Sequence, residues 1–282
     1  MTIIVDAADT PVAKLSLWPA IRLSYATCFQ HFRDGLRVAA LWLPLVAALT
    51  GAASWLQASL LAELAANPHR KIDLAQPVHM LILGNIANLV LTCAAISSAV
   101  AWHRLLLLNE APGRSGGNFS TRNLWRYVGV GIMIGLIAAI PVVGVLLPMS
   151  LLGLLPAAGP TPLAVIAVIG LGYVIAIALM LRLCLVLPAR ASGDLSLTFK
   201  EAWRRTRGNV WRIFWGILAC GVAPFLVTDL AFMSLVLVPL GNGLYLAQWA
   251  FAGAFATCCW LLAWPIWIVF LSLTYRQLVR AA

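Results

Sequence analysis

Asp229 is the one acid that falls inside an apolar stretch long enough to cross a bilayer. An ionisable group at such depth costs roughly 2.5–3.5 kcal/mol on insertion scales, so it is a candidate for binding a proton or a cation. It could equally pair with Asn242 or Tyr245, or stand at the outer interface if its span ends early. Asn85 and Asn88 lie about one helical turn apart, close enough to line one face and to hydrogen-bond either a neighbouring helix or a polar ligand. A third group, Lys200, Arg204, Arg205, Arg207 and Arg212, crowds into thirteen residues beside Phe199 and Trp203. Basic side chains beside an anionic leaflet are worth about 1 kcal/mol each, so this cluster could contact phospholipid headgroups. The alternative is that it only frames the spans on either side.

Reactions that need a sequence signature find none here. The chain has no P-loop, no GxSxG, no HExxH, no paired acids in a motif and no glycine-rich nucleotide loop. His31, His69 and His79 form no metal-ligand spacing, and His103 adjoins Arg104 at a membrane boundary. The six cysteines are scattered through apolar or interfacial stretches and read as small apolar filler. These absences imply no cofactor, no metal and no enzymatic activity.

The elements that must position these groups are membrane spans. With 62% hydrophobic and 10% charged residues, and a mean hydropathy of +0.95, the chain carries more apolar surface than a water-soluble fold can cover. A hydrocarbon core about 30 Å thick takes roughly 20 residues of helix. On that measure the chain is all-α, a helical bundle of six spans at about 38–62, 79–102, 127–149, 164–187, 213–236 and 245–272. The connectors LLGLLPAAGPTP and PLGNG are uncharged and rich in the Gly and Pro that tight turns need. Of the 19 Lys and Arg residues, only Arg70 and Lys71 fall on the side of the connector between spans one and two. The other face is therefore cytoplasmic, with both termini on it. Net charge of +10 is thus an orientation signal rather than a nucleic-acid one.

A cytoplasmic segment 1–37 precedes the six-span domain, 38–282. The first residues lack the basic and apolar regions of a signal peptide, so no cleavage is expected. Within the segment, Trp18, Ile21, Tyr25, Cys28, Phe29 and Phe32 recur at the spacing of one helical face, which predicts an amphipathic surface helix. A second such helix is expected over 198–212. Each is followed or closed by a glycine, Gly35 or Gly208.

The second spans of three successive hairpins end alike, in AWHRLLLL at Arg104, LMLRLCLVL at Arg182 and LTYRQLVR at Arg276, and the first spans carry Pro44, Pro141 and Pro224. A threefold duplication of a two-span unit would account for the order, with loops and span lengths drifted. Prolines within spans could bend helices around a cavity. Gly131 with Gly135, and Gly172 with Ala176, mark places where helices could approach closely. Trp55 and Trp249 near one boundary, and Trp102, Trp125, Trp203, Trp211 and Trp215 near the other, read as aromatic belts.

The segments AWHRLLLLNEAPGR, RLCLVLPARA and SLTFKEAWRRTRGNVWRIF resemble a group of uncharacterised proteobacterial membrane proteins. That group is similar to the membrane domain found beside some bacterial glycerophosphodiester phosphodiesterases. The resemblance covers most of the chain, spans two to five with the second surface helix, and implies a bacterial inner-membrane bundle. It implies no reaction, because the catalytic barrel would need roughly 200 further residues with acid and histidine ligands. The expected role is a non-enzymatic envelope protein that binds anionic phospholipid at the cytoplasmic leaflet or scaffolds a partner. The alternative is a small transporter or channel built on the proline-bent spans and Asp229.

Overall fold

The computed structural model describes residues 14–67, 75–110, 121–151, 163–237 and 241–280. Among them the secondary structure is entirely helical, and six helical segments are long and apolar enough to cross a bilayer: Trp42–Ala66, Val78–Leu108, Arg122–Leu151, Val165–Ser192, Val210–Leu237 and Leu244–Arg280. The chain is a multi-pass membrane protein on that measure. Its long helices leave Leu136, Ile140, Leu171, Val174, Val227 and Leu230 exposed, a surface that hydrocarbon covers and water would not. Arg70, Lys71, the connector after Leu151 and the side chain of Asn242 lie outside the described residues.

Two compact units make up the chain. Met1–Ala20, Ser120–Trp215 and Leu271–Ala282 form the first, and Ile21–Phe119 with Gly216–Phe270 form the second. The segment 1–37 is therefore shared between them. It holds α1 (Leu17–Gln30) and most of α2 (Phe32–Ala39), and α2 packs on α4 (Ala75–Leu108). The first span begins later than residue 38. Pro44 lies in the opening turn of α3 (Trp42–Ala66), and its missing N–H cannot reach back to the Ala40 carbonyl, so α2 and α3 part at residues 40 and 41.

In the second unit α3 and α4 form a hairpin over Ala39, Val46, Ala94 and Leu261, ringed by Trp42, Leu91 and Trp260. The Trp42 indole donates to Ser97 Oγ at 2.9 Å. Gly51 lies where a Cβ would be 3.2 Å from the Ala250 carbonyl of α11 (Gly241–Tyr275), and Gly253 faces Ser54 across the same crossing. Small residues thus bring α3 and α11 together. In the same unit, a π-helical turn, Leu218–Val222, precedes α10 (Ala223–Leu237). There the Ala223 N–H bonds the Leu218 carbonyl, and Pro224 has no N–H to give, so the Ala219 carbonyl is left over. The Tyr25 hydroxyl takes it at 2.7 Å. α10 and α11 are joined by an edge-to-face contact of Phe232 and Trp249 and by Gln248 Nε2 donating to the Leu235 carbonyl.

In the first unit α5 (Thr121–Leu151) pairs with α6 (Leu163–Leu183). Gly172 permits the approach, since a Cβ there would lie 3.3 Å from the Pro141 carbonyl. The expected glycine pair in α5 plays no such part: Gly135 faces open space, and Gly131 meets only Leu187 at 4.0 Å. The three prolines also differ in setting. Pro141 is inside α5, Pro44 in a first turn, and Pro224 just after the π turn.

Candidate functional site

Span four does not run straight to its end. Pro188 withdraws the N–H that would bond the Cys184 carbonyl, which accepts instead from Leu187 at 3.1 Å, and the helix breaks into α6 and α7 (Val186–Ser192). Gly193, at φ +82°, then closes α7: its N–H reaches the Arg190 carbonyl while the Asp194 N–H reaches that of Ala189. This paired closure is the Schellman arrangement, and it needs a residue tolerant of the left-handed region. Arg190 clamps the loop beyond, donating to the carbonyls of Asp194 at 2.6 Å and Leu197 at 3.1 Å. Asp194 accepts from the Ser196 N–H and hydroxyl and from the Tyr275 hydroxyl.

That loop delivers α8 (Phe199–Arg205). Thr198 caps it by accepting the Glu201 N–H at 3.2 Å. The expected surface helix over 198–212 is thus shorter than its periodicity suggests. Gly208, at φ +77°, interrupts it, and Arg212 belongs to α9 (Val210–Ile217), the opening of span five. Thr206 is fully buried and donates to the Ala202 carbonyl at 2.9 Å. Asn209, 1% exposed, accepts the Leu15 N–H at 2.8 Å, and Arg212 donates to the Leu15 carbonyl at 2.8 Å. Leu15, just before α1, is therefore tied down beside α9.

Where α8 lies against α6, a cavity of about 630 Å³ is lined by Arg182, Thr198, Lys200, Glu201, Trp203, Arg204 and Arg207. The Arg182 guanidinium stands 4.4 Å from the centre of the Trp203 ring, within cation–π range. Glu201 is paired twice, with Arg204 Nη2 at 2.9 Å and Arg205 Nε at 2.7 Å. Among the described residues no carboxylate pairs with Arg182, Lys200 or Arg207, so the cavity presents an excess of positive charge to whatever enters it. Burial alone would raise the Glu201 carboxyl, but the hydrogen bonds from Arg205 and Arg204 outweigh it and hold the group below its usual range. At Asp194 burial is likewise outweighed, by the bonds from Ser196 and Tyr275 and by the Arg190 charge.

Both carboxylates thus stabilise the fold fully above their ordinary values of 3.8 and 4.5, and this contribution is lost as pH falls through their lowered folded values. Asp194→Ala is expected to cost on the order of 2 kcal/mol, the scale of orphaned hydrogen-bond partners. Amide hydrogen exchange should rise at residues 194–205 in that variant at neutral pH. In the unaltered chain the same rise, beyond the intrinsic pH dependence of exchange, should wait until pH falls below about 4.

The sequence-marked residues divide accordingly. Lys200, Arg204 and Arg207 converge on the cavity, and Arg182, marked only as a repeated span-end arginine, joins them. Arg205 is held by Glu201 and Arg212 by the Leu15 carbonyl. Arg104 forks onto Glu110, with Nε and Nη2 each at 2.9 Å, closing the end of α4 after Asn109 at φ +56°. Arg276 is exposed in a closing π-helical turn, Arg276–Arg280. Asp229 is exposed on α10 with a further turn and more of helix after it, and among the described residues nothing bonds its carboxylate. Asn85 and Asn88 are exposed on α4, where Asn85 Nδ2 donates to the Leu81 carbonyl of its own helix at 2.7 Å.

Two sequence readings are corrected by burial. Trp102 is no belt residue, being 3% exposed, and His103 is wholly buried rather than interfacial. On α1 the apolar face also divides: Ile21 is buried beside Ser24 and Thr27 on the inward side, whereas Trp18 and Phe29 are exposed. No protein family, curated protein or solved structure matches the chain.

Proposed function

We propose that this protein lies in a bacterial inner membrane with both termini in the cytoplasm and binds anionic phospholipid in the cavity between α6 and α8. It acts there as a non-enzymatic lipid-binding or scaffolding protein of the envelope. The observation that carries this reading is the grouping of Arg182, Lys200 and Arg207 around one opening, with Glu201 already neutralised by Arg204 and Arg205. A phosphate group supplies acceptors for guanidinium and ammonium donors together. The excess of Lys and Arg on the same side of the spans supports an opening at the leaflet where anionic headgroups lie. Exposed Trp203, Trp211 and Trp215 are suited to the headgroup level.

Native mass spectrometry of the protein released from its own membrane tests the reading. Selective retention of an anionic phospholipid relative to bulk composition is expected, with loss of that lipid as ionic strength rises from 0.1 M to about 1 M and the screening length shrinks from ~10 to ~3 Å. Retention of lipids in their bulk proportions would count against lipid recognition and favour a scaffolding or transport role.

A further inference from the structure

We infer that the phosphate held in the basic cavity is a phosphomonoester, a terminal group with two negative charges and three free oxygens, rather than the singly charged diester of common phospholipid headgroups. The inference rests on the lipid-binding reading above and narrows it to one class of headgroup.

Charge balance is the first observation. Counting Arg205 with the lining, five basic groups meet one carboxylate. Glu201 divides its single charge between Arg204 and Arg205, so four positive charges stay uncompensated by any described acid. Like charges gathered round one opening repel, and each negative charge that enters relieves that repulsion. A phosphodiester brings one. A phosphomonoester brings about 1.5 to 2 at pH 7, which suits an excess of this size better.

The supply of hydrogen-bond donors points the same way. Arg182 comes from α6, Lys200 from α8 and Arg207 from the turn after it, so the cations reach the space from three stretches of chain. Arg182 is half-buried and held over the Trp203 ring, and no side-chain N–H of Arg182, Lys200 or Arg207 is used by an acceptor among the described residues. Thr198 accepts the Glu201 N–H at its oxygen, and its own hydroxyl proton is available to donate. Cations from three directions match the three terminal oxygens of a monoester, whereas a diester offers only two. Trp203 is the one apolar residue among those described in the lining, so a headgroup is seated there and acyl chains are not.

The difference between the two phosphates can be switched by pH without altering the site. A monoester loses its second charge below a pKa of about 6, and a diester has none to lose. No histidine is among the described lining residues. Burial raises the Glu201 carboxyl less than the bonds from Arg205 and Arg204 lower it, so Glu201 stays ionised above its ordinary value of 4.5. Lysine and arginine keep their charge over the same range.

The test titrates the full chain, in detergent, with phosphatidic acid and with phosphatidylglycerol of the same tails, and counts bound lipid by native mass spectrometry. At about pH 8 the monoester, phosphatidic acid, should bind about tenfold more tightly, because a unit charge about 4 Å from even one cation gains several-fold in affinity in water. At about pH 5 the second charge is lost and the advantage should shrink to about twofold. Lys200→Gln combined with Arg207→Gln should bring the same reduction at about pH 8, and neither side chain has a bond within the described fold to lose. Soluble glycerol phosphate identifies the source. Displacement of phosphatidic acid only at millimolar levels marks a lipid headgroup, and displacement at micromolar levels a soluble phosphomonoester, with the recognised group the same in both. An advantage absent at about pH 8, or undiminished at about pH 5 or in the double variant, would overturn the inference. Phosphatidylglycerol bound no better than phosphatidylcholine would remove the lipid-binding reading itself, whereas phosphatidylglycerol preferred to phosphatidylcholine but equal to phosphatidic acid would remove only the monoester.

Discussion

Replacing Arg182, Lys200 and Arg207 together by glutamine is expected to lower the preference for phosphatidylglycerol over phosphatidylcholine of the same tails by roughly a hundredfold. Each basic group near an anionic surface contributes about 1 kcal/mol, and a tenfold change in affinity corresponds to about 1.4 kcal/mol, so three such groups lost together give about two orders of magnitude. These are the cavity cations that no described carboxylate neutralises. Arg205→Gln should change the preference far less, because Arg205 is already bonded to Glu201. Arg212→Gln should alter stability rather than selectivity, because its guanidinium holds the Leu15 carbonyl. Lipid titration followed by native mass spectrometry separates these cases. A triple variant with unchanged selectivity would remove the basis for headgroup recognition in this cavity.

Gly216→Ala is expected to be the most damaging single methyl addition, at about 3 kcal/mol. A Cβ at Gly216 would overlap the ring of Phe270, a side chain that is fully buried, so the added methyl overpacks the site. The thermal midpoint of the purified protein in detergent should fall markedly, and Gly216→Ala with Phe270→Leu should recover part of the loss by shortening the obstructing side chain. Gly135→Ala gives the opposite sign. Nothing lies within 4 Å of a Cβ there, so the variant should gain up to about 1 kcal/mol from helix propensity alone. Equal effects from the two substitutions would show that the environment of Gly216 is not close-packed.

These two glycines show what was readable before the fold was known. Gly131 and Gly135 have the spacing associated with helix contact, yet they open outward, while Gly216 and Gly253 have no such motif and sit at the tightest approaches. Spacing reports which residues share a helix face, but the partner of that face is set by packing across long stretches of chain. The same holds for the basic cavity. Lys200, Arg204 and Arg207 are legible as a cluster because they are close in sequence, whereas Arg182 joins them through the break at Cys184 and the return of α8. The six spans were legible because a hydrocarbon core imposes length and hydropathy directly. Their interruptions were partly so: Pro188 and Gly208 are visible as breakers, but the periodicity of 198–212 conceals the change from α8 to α9. Trp102 could not be placed, since a tryptophan near a span end suits an interface and a core equally well.

The π turn at Leu218–Val222 also sets the angular phase of everything after it. It holds one residue more than a regular α-helical turn, and each residue advances an α-helix by about 100°. Downstream, Thr228 faces inward and its neighbour Asp229 outward. Because the wider turn absorbs its extra residue, removing one residue there and restoring regular winding would leave Asp229 on its present outward bearing, whereas a residue lost from a regular stretch of the span would turn it by about 100°. The turn is therefore a place where this span can gain or lose a residue while its lone acid keeps its bearing, without changing any residue of α10.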